Sequence, residues 1–147
     1  AGRGGLSLEV RGRLGDAEPG TIIADNRDDA GRGFALRRNA GSGVRLEICD
    51  GWSCCSWDSD DEVLTPGAID HLVAVVDGGP KVIFFVVNGT LCDGGTRRPY
   101  GWGRFFAGMK DLTGAGRLRL GVDLNRLRLW TRAIRTAEAL ACYRSGA

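Results

Sequence analysis

Residues 71–95 read HLVAVVDGGPKVIFFVVNGTLCDGG. His71 to Val76 and Lys81 to Val87 are continuous apolar runs with little alternation, which is the pattern of strands in the centre of a sandwich. Asp77 to Pro80 (DGGP) reads as the turn between them. Asn88-Gly89 then supplies the strongest short hairpin signal, because both central positions of a tight turn need positive φ. Thr90 to Asp93 is expected to return as the partner strand. Asn88-Gly89-Thr90 also spells a glycosylation sequon, but the hairpin accounts for its first two residues without a glycan.

Outward from this hairpin, short periodic runs recur. Leu6, Leu8 and Val10 alternate with Ser7, Glu9 and Arg11, and Val44, Leu46 and Ile48 alternate with Arg45, Glu47 and Cys49. Both segments read as half-buried strands. Thr21 to Asp25 and Phe34 to Arg37 are shorter candidates, and Arg104 to Met109, Arg117 to Val122 and Arg126 to Trp130 complete the set. Only Thr136 to Tyr143 reads as helix, over about two turns. The 24 glycines punctuate these runs as turns do. Roughly ten short strands and one helix predict an all-β sandwich or barrel. With 147 residues, no internal repeat and no linker, the chain is expected to form a single domain over residues 1–147.

Composition excludes several function classes. No apolar run approaches the roughly 20 residues of a membrane-spanning helix. The net charge of +2 comes from 20 basic and 18 acidic residues interspersed along the chain, which is no nucleic-acid footprint. Only Lys81 and Lys110 among the basic residues are lysine. The arginine bias could help bind carboxylates or acidic sugars, but biased codon usage is the favoured explanation. The first residues lack the form of a signal peptide, as a mature secreted chain also would. Cys49, Cys54, Cys55, Cys92 and Cys142 form no CxxC and no zinc spacing. Adjacent Cys54 and Cys55 are poorly placed to pair with each other, so a disulfide there needs a partner elsewhere. An extracellular or otherwise oxidising compartment is favoured.

The order HLVAVVDGGPKVIFFVVNGTLCDGG, then GWGRFF, then RLRLGVDLNRLRLWTRAIRTAEAL resembles the laminin-G-like, concanavalin A-like lectin and glucanase family, from about Leu6 to about Arg144. The resemblance implies a two-sheet antiparallel jelly-roll sandwich with one short C-terminal helix. It also implies an additional opening strand before Leu6 to Arg11, for which the chain has almost no room. The missing strand is expected from the chain's own C-terminal part, a neighbouring domain or a partner subunit, since an open edge invites pairing. Calcium-binding members imply acids near that opening and near the last strand, which makes Asp25, Asp28 and Asn125 the calcium candidates. Asparagine at position 125, where the family often has aspartate, weakens that expectation, and no other cofactor is expected.

The family includes glycosidases, so paired carboxylates matter. Their alternating acids on one strand are not repeated here, and Asp58, Asp60, Asp61 and Glu62 are expected in a polar loop, where solvated acids keep ordinary pKa values. His71 leads an apolar strand and reads as a structural histidine. What remains is ligand gripping, because sugars present apolar CH faces and hydroxyls that suit flat rings beside acids or arginines. The stretch GWSCCSWDSDDE, residues 51–62, is expected to be a loop joining two sandwich strands, and it offers Trp52 and Trp57 with Asp58, Asp60 and Asp61. A second cluster joins Tyr100 and Trp102 to Arg97, Arg98 and Arg104. The sequence therefore predicts a non-catalytic, extracellular-type recognition module for carbohydrate. The alternative is a structural or protein-interaction subunit of a larger assembly.

Overall fold

The computed structural model describes residues 5–105, 109 and 117–145. Its strands are β1 (Leu6–Gly12), β2 (Ile22–Asp25), β3 (Arg32–Arg38), β4 (Val44–Asp50), β5 (Cys54–Asp58), β6 (Asp70–Asp77), β7 (Val82–Val87), β8 (Thr90–Leu91), β9 (Trp102–Arg104), β10 (Arg119–Leu120) and β11 (Leu124–Trp130). A 3-10 turn covers Leu14–Asp16, and one helix, α1, covers Thr136–Ser145. The first sheet runs β11-β1-β6-β7-β8, with β9 also paired to β7, and the second runs β10-β2-β3-β4-β5. All pairings are antiparallel, as the jelly-roll sandwich expectation requires.

The alternating residues of both sheets meet in one core. Leu8, Val10, Leu72, Ala74, Ile83 and Phe85 from the first sheet face Phe34, Leu36, Val44, Leu46 and Ile48 from the second. The hairpin signal at Asn88-Gly89 is realised, with φ of 49° and 79°. The Asn88 side chain is also occupied, since its Nδ2 donates to Asp70 and its Oδ1 accepts from the His71 amide. The sequon asparagine is thus part of the fold.

The two apolar runs differ from an ordinary sandwich strand in one respect: Asp70 to Val76 of β6 is buried without interruption. Val73, Val75 and Val86 point away from the main core, where Ile134 and Ala139 cover them. Each such valine contributes about 1.5–3 kcal/mol relative to an exposed one, so the outer face of this sheet needs a roof. The segment 131–135 and α1 provide it. The Ser7 hydroxyl fastens that roof by donating to Arg132 O at 2.7 Å and accepting the Ile134 amide at 2.9 Å.

Beneath the roof lie two buried ionisable side chains, Glu9 on β1 and His71 on β6. His71 Nε2 stands 2.7 Å from Glu9 Oε2, and Arg128 Nε is 2.9 Å from Oε1. His71 Nδ1 is buried without a hydrogen-bond partner. A neutral ring that donates from Nε2 fits both facts, because a charged ring would leave an N–H unpaired. Burial pushes the His71 pKa down, Glu9 opposes it, and Arg11 and Arg126 push the same way as burial.

Several expectations are corrected. Of the three sources expected for the strand beside β1, the chain's own C-terminal part is the one found, as β11 pairs from Ser7 opposite Trp130 to Gly12 opposite Leu124. Residues 51–62 are not one loop, since Cys54–Asp58 form β5. There Cys55 and Trp57 pack on the core and Ser56 and Asp58 alternate with them, a period hidden by the paired cysteines. The strand expected at Thr90 to Asp93 stops at Leu91, because Asp60 captures the amides of Asp93 and Gly94. The strand expected at Arg104 to Met109 lies earlier, at Trp102–Arg104, and residues 106–108 fall outside the described part. The one expected at Arg117 to Val122 narrows to Arg119–Leu120, with residue 116 and those before it outside the described part.

Two tests follow from the roofed sheet. Ser7→Ala strands a buried amide and carbonyl and is expected to cost about 2 kcal/mol in urea denaturation; a change within a few tenths of a kcal/mol would show that the roof does not depend on this hydroxyl. Because the folded His71 pKa lies below its ordinary 6.5, the unfolded chain takes up the proton first as pH falls. Stability from this group is therefore complete above that value and lost as pH drops below it. The melting temperature is expected to fall between about pH 7.5 and pH 5.5, and His71→Gln to flatten that slope.

Candidate functional site

The sequence-predicted residues separate into three groups. In the first, Trp57, Asp58, Asp60, Asp61 and Arg98 are held by one another or by neighbouring arginines and amides. Trp57 is half-buried in β5, its Nε1 donates to Gly101 O at 3.2 Å, and the Arg98 guanidinium lies 4.3 Å from its ring centroid. A Cβ on Gly103 would fall 2.2 Å from a Trp57 ring atom, so only glycine lets β9 pass this ring. Asp60 accepts the Asp93 and Gly94 amides at 3.1 and 2.9 Å and an Arg98 nitrogen at 3.3 Å. Arg98 also donates to Asp58 O at 3.0 Å. Asp58 pairs with Arg45 at 2.7 Å, and Asp61 with Arg97 at 3.2 Å. Asp60 and Asp61 thus fasten the loop after β5 to the segment before β9, while Asp58 ties β5 to β4.

Trp52 stands apart. It occupies the turn between β4 and β5, 94% exposed, closed at its base by a disulfide between Cys49 and Cys54. Asp50 Oδ1 accepts the Trp52 and Ser53 amides, fixing the turn. Cys54 therefore finds the partner that its adjacent cysteine could not be, while Cys55, Cys92 and Cys142 stay free. Trp52 and Trp57 lie at opposite ends of β5 and do not share a platform.

The third group faces a groove. Tyr100 and Trp102 are 56% and 38% exposed, with ring centroids 4.9 Å apart and planes inclined by 30°. Trp102 borders a hollow of about 410 Å³ lined also by Pro80, Val82, Phe84, Leu91 and Arg104. Cys92 and Thr136 close its floor and far side. The Arg104 guanidinium lies 5.8 Å from the Trp102 ring centroid, near enough for a cation–π contact. Of these lining residues only Cys92 and Arg104 titrate. Burial pushes the Cys92 thiol up to about 11, so at neutral pH the groove presents no thiolate and no carboxylate. It has flat rings, apolar walls and one guanidinium, which is equipment for binding.

Sequence reasoning found Tyr100, Trp102 and Arg104 but missed Pro80, Val82, Phe84, Leu91 and Thr136. These come from separate turns and strands and carry no shared motif. The one available signal was Phe84, which alternates with the core residues Ile83 and Phe85 and so had to face outward.

The calcium candidates are otherwise engaged. Asp25 is buried, with Arg27 at 2.8 Å and Arg119 at 3.0 Å. Burial alone would raise its pKa, but hydrogen bonds from the Arg27 side chain and amide outweigh it and hold the pKa below the ordinary value. Asp28 accepts the amides of Ala30 and Arg32 and the Arg32 side chain. Asn125 is exposed on β11, in the other sheet. Guanidinium groups already occupy the carboxylate oxygens a calcium ion would need, so these residues do not fit one.

Asp60 is the test of the fastening. Asp60→Ala removes one acceptor from two amides and a guanidinium, and is expected to destabilise by about 3 kcal/mol in urea. A loss below about 1 kcal/mol would show that these loops are held by other contacts.

No family profile and no curated protein matches the sequence. Solved structures do resemble the fold. The domain called CBM40 of the Ruminococcus gnavus IT-sialidase, solved with α2,3-sialyllactose bound, aligns over 96% of this chain and 82% of its own, with a TM-score of 0.65 and 16% identity. The binding domain of botulinum neurotoxin serotype G aligns over 98% of this chain with a TM-score of 0.72 and 9% identity. The NanB sialidase of Streptococcus pneumoniae aligns over 93% with a TM-score of 0.68 and 13% identity. This chain spans 37% of the toxin domain and 23% of NanB. At these identities the likeness is one of fold, and it places the chain among two-sheet sandwiches that include binding domains.

Proposed function

We propose that this chain is a non-catalytic recognition module that binds carbohydrate in the groove beside Trp102. The observation that carries the reading is the pair of exposed rings, Tyr100 and Trp102, standing 4.9 Å apart, with Trp102 bordering an apolar hollow. Sugar CH faces stack on such rings, and the Arg104 guanidinium supplies donors for ring oxygens. The sandwich likeness to a sialidase domain solved with a bound sialyllactose supports the same reading. The Cys49–Cys54 disulfide suits an extracellular or otherwise oxidising location.

Trp52 favours a second reading, docking to another protein as part of an assembly. An indole 94% exposed on a stapled turn is an anchor of the kind that fills a partner's pocket.

A glycan array, followed by tryptophan fluorescence titration of its hits, separates the two. Trp102→Ala is expected to weaken binding of a hit about tenfold or more. Because Trp102 is partly exposed, the melting temperature should stay within a few degrees, of the size expected for a surface change. An array without hits, or hits that survive Trp102→Ala and disappear with Trp52→Ala, would remove the groove from consideration.

A further inference from the structure

The groove does not end at Thr136. A second hollow of about 600 Å³ is lined by Gly5, Asp77, Thr131, Ala133 and Arg135, and it shares Phe84 and Thr136 with the first. The two hollows adjoin at Phe84 and Thr136 on the outer face of the first sheet, so a ligand that spans both would follow one channel.

Charge along this channel is uneven. Arg104 is exposed, lies beside the Trp102 ring and has no carboxylate partner among the described residues. Its neighbours are different: Arg97 is paired with Asp61 and Arg98 with Asp60. In the second hollow Arg132 is neutralised by both oxygens of Glu138, at 3.0 and 2.7 Å, and the Asp77 carboxylate and the Arg135 guanidinium that also line it carry opposite charges.

Resting on the carbohydrate reading above, we infer that the channel recognises an oligosaccharide carrying one carboxylate, which sits at Arg104 beside Trp102, while neutral residues run over Phe84 toward Thr131 and Thr136. A guanidinium pinned against an aromatic face is preorganised for a carboxylate, and its fork can hold both oxygens. Sialic-type and uronic-type sugars share this chemistry, so both are tested.

The experiment is isothermal titration at low salt with matched probes: α2,3-sialyllactose against lactose, and a glucuronosyl-xylobiose trisaccharide, which carries one carboxylate, against its methyl ester. At least one acid is expected to bind about tenfold tighter than its uncharged counterpart, that difference being lost in Arg104→Ala and partly kept in Arg104→Lys. The preference of the pair that responds identifies the sugar type. The acidic trisaccharide should also bind several-fold tighter than its own acidic monosaccharide, and Thr131→Trp, which fills the second hollow, should cancel that gain without changing monosaccharide affinity. Equal binding of acid and uncharged probes overturns the carboxylate assignment and leaves the carbohydrate reading standing. Equal binding of monosaccharide and trisaccharide overturns the extended channel. Silence from all four probes up to millimolar concentration, with binding to no other glycan on the array, removes the groove reading itself.

Discussion

The structure turns on the double burial of its first sheet. A strand such as β6, buried from Asp70 to Val76, cannot face water on either side. One side is met by the second sheet, as in any sandwich. The other side carries Val73, Val75 and Val86, and a two-layer sandwich has nothing left with which to cover them. The chain resolves this by laying residues 131–135 and α1 across that face. The helix itself contributes little independent stability, since ten residues are marginal in water. Its position follows from what lies beneath it: Ile134 and Ala139 over the valines, and Tyr143 against His71, with ring centroids 5.6 Å apart.

That roof is shorter than the sheet, and the groove is the remainder. Phe84 belongs to the same outer face as Val86 but is only half-buried, and with Thr136 it lines the groove. Tyr100, Trp102 and Arg104 arrive from β9 and the segment before it, on the far side of β7. Their placement depends on the Trp57, Arg98 and Asp60 contacts, which tie that segment to the second sheet. The acids and Trp57, read from sequence as ligand contacts, thus support the rings that face the groove. A binding surface built on strands and held by satisfied charges needs little ordering when a ligand arrives, which favours affinity.

Much of the fold was legible because its signals are local. Asn88-Gly89 specifies its turn through backbone preference alone, and the alternation in β1 and β4 reports half-burial directly. What the sequence hid is non-local. Cys55 and Trp57 alternate correctly for a strand, but two neighbouring cysteines mask the period until one is seen to cross to Cys49. The partner of β1 lies over a hundred residues away at Trp130, and no local pattern announces that pairing. The candidate site was legible in the same measure: an exposed aromatic pair two residues apart is visible, whereas a groove wall made of Pro80, Leu91 and Thr136 exists only after folding.

The arginine bias, which composition alone ascribes to codon usage, gains a structural meaning. Forked pairs recur where a lysine could offer only a point charge: Arg27 grips both oxygens of Asp25, Arg45 both of Asp58, and Arg132 both of Glu138. Most of these pairs are partly exposed, so each contributes little to stability by itself. Their effect is on specificity, because a planar fork fixes the angle between neighbouring strands or loops as well as their distance. It also consumes carboxylates. With Asp25, Asp58, Asp60, Asp61 and Glu138 committed to arginines, no acid in the first hollow competes for Arg104. The same chemistry that stiffens the scaffold leaves the Arg104 guanidinium, beside the Trp102 ring, without a carboxylate partner among the described residues.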